Sequence, residues 1–175
     1  MDTSILLIYT GGTIGMKIDP QTQALAPFDF SHIMEEVPEL KKFGYKLDSY
    51  SFDPVIDSSD ADIPFWQELV RIIEINYNKY DGFVVLHGTD TMSYTASALS
   101  FMLENLGKPV IFTGSQLPIG MLRTDGKENL ISSIEIAAAK DDEERALVPE
   151  VCIYFESQLY RGNRTTKYNA ENFRA

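Results

Sequence analysis

The sequence has a single cysteine, Cys152, and only two histidines, His32 and His87, in 175 residues. One cysteine excludes an intrachain disulfide framework, and no Cys/His spacing supplies the ligand set of a zinc site. Cys152 sits inside the apolar run at 151–155 and reads as core filler. Basic residues are scarce. Lys and Arg number 15 against 26 Asp and Glu, a formal net charge of −11. Such a chain repels phosphate backbones and anionic lipid surfaces, so neither nucleic acid nor a membrane is an expected partner. Long apolar runs are also missing: nothing approaches the ~20 residues of a membrane span. The amino terminus lacks the basic start and the apolar length of a signal peptide, so the expected location is cytoplasmic. Neither Gly-x-x-x-x-Gly-Lys-Ser/Thr nor Gly-x-Gly-x-x-Gly occurs, which argues against the common nucleotide-binding loops.

Hydrophobic residues make up 44% of the chain, and its length suits one domain with a real core. Four short runs at 5–9, 83–86, 110–112 and 151–155 are rich in β-branched or aromatic residues, as buried strands are. Helical stripes lie between them. Trp66, Leu69, Val70, Ile73 and Tyr77 share one face, with Asp62 as N-cap and Pro64 in the first turn. Met92, Ala96, Leu99, Leu103 and Leu106 form a second stripe, stopped by Gly107 and Pro109. Leu130, Ile134 and Ala138 support a third over 126–139. The alternation predicts an α/β layered domain with a mostly parallel or mixed central sheet flanked by helices. Segment 41–56 alternates weakly and is a further strand candidate. The charged run 140–145 reads as a solvated connection, and the polar stretch from 168 to 175 as the start of a linker.

Each apolar run leads into a polar cluster on its carboxyl side. These are Thr10-Gly11-Gly12-Thr13, His87-Gly88-Thr89-Asp90-Thr91, Thr113-Gly114-Ser115-Gln116, and the segment from Glu156 to Lys167. Ligands of open α/β sheets bind at the carboxyl ends of strands, so four such clusters suggest one shared cleft. Singly they are weak. Gly11-Gly12-Thr13 is compatible with a tight turn, Thr89-Asp90 with a helix cap, and Lys167 with a solvated lysine. Together they permit a mechanism. A threonine hydroxyl is a poor nucleophile and needs a partner to take its proton. An amine does so only when burial or neighbouring charge disfavours its protonated form. Thr89, Asp90 and Lys167 meeting in one cleft would make a hydroxyl–ammonium–carboxylate relay. For His87 a hydrogen-bonded structural role is expected.

These segments resemble those of the bacterial-type L-asparaginases. The resemblance rests on Tyr9-Thr10-Gly11-Gly12-Thr13-Ile14, Asp57-Ser58-Ser59-Asp60, His87-Gly88-Thr89-Asp90-Thr91, Thr113-Gly114-Ser115-Gln116-Leu117-Pro118 and Arg161-Gly162-Asn163-Arg164-Thr165-Thr166-Lys167. They occur in the family's order and spacing and span essentially the whole chain. The stretch 90–109 and the final segment are most similar to the cytosolic type I branch. The resemblance implies hydrolysis of L-asparagine to L-aspartate and ammonia without cofactor or metal. It assigns Thr13 as the nucleophile that forms an acyl-enzyme, and Thr89, Asp90 and Lys167 as a second triad. It places Asp57, Ser58, Ser59, Thr89, Asp90 and Ser115 around the substrate. A zwitterionic substrate needs a carboxylate for its ammonium and donors for its carboxylate, which fits that set. Backbone N–H groups at Gly12–Thr13 or near Thr89 suit an oxyanion hole.

Two departures stand out. Family members commonly carry a catalytic tyrosine in a mobile lid soon after the nucleophile. Residues 15–30 contain none, and the matching position falls near Ala24. Pro20, Gln21 and Thr22 still suit a hairpin lid. The second departure is length. The family has a second, smaller α/β domain, so residues 1–167 read as the amino-terminal catalytic domain and 168–175 as the start of an interdomain linker. In the family a neighbouring subunit's second domain completes each site, so a homo-oligomer (dimer or tetramer) is expected of the full-length protein, and weak or no turnover from these residues alone. Two rivals remain open: the ammonia-releasing subunit of a tRNA-dependent amidotransferase, disfavoured by charge and by the early position of the Thr-Gly-Gly-Thr segment, and a non-catalytic domain that binds small amino acids.

Overall fold

The computed structural model describes residues 3–19, 21–22, 24–27, 33–169 and 173. Among the described residues eight strands are found: β1 (Ser4–Tyr9), β2 (Met16–Ile18), β3 (Leu25–Pro27), β4 (Lys46–Ser51), β5 (Gly82–Leu86), β6 (Val110–Thr113), β7 (Val151–Phe155) and β8 (Gln158–Arg161). The helices are α1 (Ile33–Glu36), α2 (Ile63–Asn76), α3 (Met92–Met102) and α4 (Gly126–Ala138). Six strands form one sheet in the order β4-β1-β5-β6-β7-β8. Its first five strands are parallel, and β8 runs antiparallel to β7. The sheet is therefore mixed. Strands β2 and β3 form a separate antiparallel hairpin, with Met16 opposite Pro27 and Ile18 opposite Leu25.

The four apolar runs are the four central strands. Strand alternation divides their side chains between two cores. Ile5, Leu7 and Tyr9 face Leu130, Ile134 and the rest of α4, while Leu6 and Ile8 face α2 and α3. These side chains are almost fully excluded from water, each such Ile or Leu contributing roughly 1.5–3 kcal/mol. Helix α2 starts as expected: the Asp62 carboxylate accepts the Phe65 N–H at 2.9 Å, and proline occupies the first turn. Helix α3 stops earlier than its stripe. Leu103 leaves helical geometry and Asn105 adopts a positive φ of 54°, so Leu103 and Leu106 reach the core from a loop. The charged run after α4 is tied down by an ion pair between Lys140 and Asp81 at 3.2 Å. Phe173, in the segment read as a linker, is buried against Phe155 with ring centroids 4.9 Å apart. His32 and Pro20 lie outside the described residues. Among the described residues, no helix is long and apolar enough to cross a membrane.

Parallel order sends every central strand's carboxyl end to the same edge of the sheet. The polar clusters after β1, β5 and β6 are thereby brought side by side, as is the segment 52–60 that follows β4.

Candidate active site

The turn after β1 is locked to its neighbours by backbone. Thr10 is buried, and its N–H and hydroxyl both donate to the Leu86 carbonyl at 3.0 Å, while its own carbonyl accepts Ile56 N–H at 2.9 Å. Gly12 then takes φ 88°, a conformation that glycine tolerates at little cost, and starts a 3-10 turn over Thr13–Gly15. A Cβ at Gly12 would stand 2.8 Å from both Cα and N of Gly88. A Cβ at Gly88 would in turn stand 2.5 Å from Ser58 Oγ. The three strand-end segments therefore touch at Gly88, and the closeness needs hydrogen where other residues carry carbon.

Around this junction lies a cleft of about 330 Å³, lined by Thr13, Asp57, Ser58, Thr89 and Asp90 among others. Thr13 is half-buried at its rim. The Asp57 carboxylate accepts the Ser59 N–H at 2.9 Å and the Ser59 hydroxyl at 2.7 Å, and these bonds hold it below the usual carboxylate range. It is therefore an anion at neutral pH, suited to a substrate ammonium. Ser58 is buried, and its carbonyl accepts the Thr91 hydroxyl at 2.6 Å. That bond explains why Thr91, at the N-cap position of α3, makes no side-chain cap.

Lys167 reaches this edge from the far end of the sequence. Its Nζ donates to Asp90 Oδ1 at 2.9 Å and to Thr89 Oγ1 at 3.3 Å. The lysine side chain is 9% exposed and that of Asp90 65%. The three residues singled out as a relay are thus in hydrogen-bond contact, at the cleft that Thr13 also lines. Ser59 and Ser115 are placed differently. Ser59 holds Asp57, and Ser115 is buried with its hydroxyl donating to the Leu117 carbonyl at 2.6 Å. Neither is among the residues lining the cleft.

His87 lies beneath the junction, fully buried. Burial pushes its pKa down to about 4, so the ring is neutral. Its Nδ1 is 2.7 Å from the Gly88 carbonyl, which can only accept, so Nδ1 carries the proton. Nε2 must then accept from Thr95 Oγ1 at 3.0 Å, and Thr95 Oγ1 accepts Trp66 Nε1–H at 3.1 Å. The expected structural role of His87 takes this form: a directional chain from α2 through α3 to the Gly88 carbonyl. Neither residue gave a sign of it in sequence: Trp66 read as an ordinary member of a helical stripe, and Thr95 belonged to no pattern. Asp125 was equally silent. Its carboxylate accepts the N–H groups of Gln116 and Leu117 and fixes the loop after β6.

The segment expected to form a lid folds as the β2–β3 hairpin. Its tip closes through Asp19 N–H to the Ala24 carbonyl at 2.9 Å, and Ala24 is exposed. An ion pair between Lys17 and Glu36 fastens the hairpin to α1.

The sequence matches the family described as "Asparaginase, N-terminal" over residues 4–175. It is 46% identical to L-asparaginase 1 of Escherichia coli, over 98% of this chain and 49% of that protein. It is 40% identical to a mouse protein named 60 kDa lysophospholipase, over 98% of this chain and 33% of that one. Among solved structures, L-asparaginase I of Vibrio cholerae matches with a TM-score of 0.84 and 44% identity, over the whole of this chain and 51% of that one. The chain thus spans about half the length of the bacterial proteins, and about a third of the mouse protein.

Proposed function

The chain belongs to the asparaginase family, and on that premise we propose that it is the amino-terminal catalytic domain (residues 1–167) of an L-asparaginase, with 168–175 beginning the interdomain linker. The reaction is hydrolysis of L-asparagine to L-aspartate and ammonia. The Thr13 hydroxyl attacks the side-chain amide carbon, ammonia leaves, and water cleaves the resulting ester. Atoms and charge balance with water alone, so the reading calls for no cofactor. Thr89, Asp90 and Lys167 handle protons, Asp57 and Asp90 receive the ammonium, and Ser58 and Ser59 shape the α-carboxylate end. Ser115 supports the loop beside the amide.

The observation that carries the reading is the bonding of Lys167 Nζ to both Thr89 and Asp90 at the cleft lined by Thr13. An amine held against a hydroxyl and a carboxylate is equipped to move a proton, which a mere amino-acid receptor has no use for. The carboxylates and hydroxyls of the cleft, set beside Met16, Val55 and Ile56, suit a small zwitterionic amide. A larger cavity, about 510 Å³ and lined by Val70, Ile73, Tyr77 and Leu106, lies at the amino-terminal ends of the strands, remote from Thr13.

The protein is further proposed to be cytoplasmic and homo-oligomeric. Turnover by these residues alone is expected to be weak, because Asp57 and Asp90 stand open to solvent. The test is ammonia release from L-asparagine by the protein expressed from its own complete coding sequence, with calorimetric binding of L-asparagine measured in parallel. Binding without ammonia release would leave an amino-acid receptor instead of an enzyme.

A further inference from the structure

Tyr9 is the last residue of β1, one position before the polar segment that carries Thr13. Strand alternation turns its ring to the face shared by Ile5 and Leu7, where it is 1% exposed. The ring lies against Gly15 so closely that a Cβ there would stand 2.2 Å from Tyr9 Cζ. Its hydroxyl donates to the Gly12 carbonyl at 3.3 Å. The same oxygen accepts the Gly15 N–H at 3.3 Å, the bond that closes the Thr13–Gly15 turn. Burial pushes the phenol up to about 12, so it stays protonated and works as a donor, not a base.

The Gly12 carbonyl and the Thr13 N–H are two ends of one planar trans peptide. Holding the oxygen from the core side leaves the N–H pointing the opposite way. Hydrogen bonds to a carbonyl also polarise its amide and strengthen the N–H as a donor. One phenol thus grips the turn at its start through Gly12 and at its end through Gly15.

We infer that Tyr9 is a positioning residue for the reaction: it fixes the Gly12–Thr13 peptide so that the Thr13 hydroxyl and the Thr13 N–H are offered together to the substrate amide. The inference rests on the reading of Thr13 as nucleophile. Tyr9 acts through Gly12 and touches no substrate. It differs from the lid tyrosine sought at 15–30, because it comes from the central sheet and is in place whatever the hairpin does.

The test is Tyr9→Phe in the protein expressed from its complete coding sequence. The ring, and so the packing on Gly15, is kept while the donor is removed. Three quantities are read: kcat and KM for ammonia release from L-asparagine, and the calorimetric Kd for L-aspartate. Loss of a whole oxyanion donor costs roughly 10²–10³ in kcat. Loosening one costs less, and kcat is expected to fall about tenfold while KM and Kd change less than about twofold. Any lowering of the melting temperature is accommodated by assaying well below it. An unchanged kcat overturns the inference, as does a joint rise of KM and Kd, which marks general loosening. Thr13→Ala is assayed alongside. If it is active, the nucleophile reading fails. If it is inactive while Tyr9→Phe matches the parent, only the inference about Tyr9 fails.

Discussion

Lys167 meets Asp90 at 2.9 Å across 77 residues of sequence, and the pair is asymmetric: the cation is nearly buried, the carboxylate mostly in water. The lysine is held as part of the protein's interior, while Asp90 faces the cleft, where a substrate ammonium can share it. With its carboxylate mostly in water the pair adds little stability, so its geometry is better accounted for by proton handling.

Lys167→Met should therefore leave the fold intact and lower kcat by ~10²–10⁴, the usual worth of a general acid or base. Steady-state ammonia release and a thermal melt measure the two effects. Activity within about tenfold of the parent would rule out proton transfer through Lys167.

Thr13→Ala removes the proposed nucleophile from a half-buried position and takes nothing from either core. Turnover should vanish while L-aspartate still binds and the circular dichroism spectrum is unchanged. Near-normal turnover would sink the assignment.

Gly88→Ala tests the junction. The new methyl would stand 2.5 Å from Ser58 Oγ and 2.7 Å from Ser58 Cβ, so one of the two segments must move. Overpacking of this sort costs typically ~1–3 kcal/mol, and KM should rise with it because Ser58 lines the cleft. Gly107→Ala is the control: its methyl would meet only Tyr77 Oη at 3.5 Å, an ordinary contact. Equal urea midpoints for the two variants would show that the junction tolerates a side chain.

Stability should also depend on pH through His87. Its folded pKa is about 4 against an ordinary 6.5, so between these values the unfolded chain binds the extra proton. The contribution is complete above about 6.5 and is lost as pH falls toward about 4, amounting to up to roughly 3 kcal/mol. Asp57 acts in a lower window, since its depressed pKa supports folding above its ordinary 3.8 and fails below it. Urea midpoints at about pH 7 and about pH 4.5 would fall for the parent and much less for His87→Gln. Parallel declines would place the titration elsewhere.

The central strands were legible because buried strands are continuous apolar runs, and α2 because its N-cap and stripe agree. Strand β8 was not. It is mostly exposed at the sheet edge, and its hairpin turns on Glu156 and Ser157, with φ of 47° and 63° in place of the usual Asn or Gly. The end of α3 was misread because Leu103 and Leu106 keep helical spacing and core contact outside the helix. In the site, the strand-end clusters were visible as polar interruptions. The bond from the Ser115 hydroxyl to the Leu117 carbonyl was not among them, because it depends on the fold of the loop after β6. The contacts of Tyr9 with Gly15, and of Gly88 with Ser58, had no local pattern. They exist only once strands far apart in sequence lie side by side.

The burial of Cys152 has a practical consequence. The thiol is 2% exposed and pushed up to about 12 by burial, so it is neither reachable nor ionised under native conditions. A cysteine introduced at the exposed Ala24 would be the one thiol in this chain open to maleimide reagents, with no need to remove the native one. A fluorophore carried there sits at the hairpin tip and reports changes in its surroundings as an optical signal.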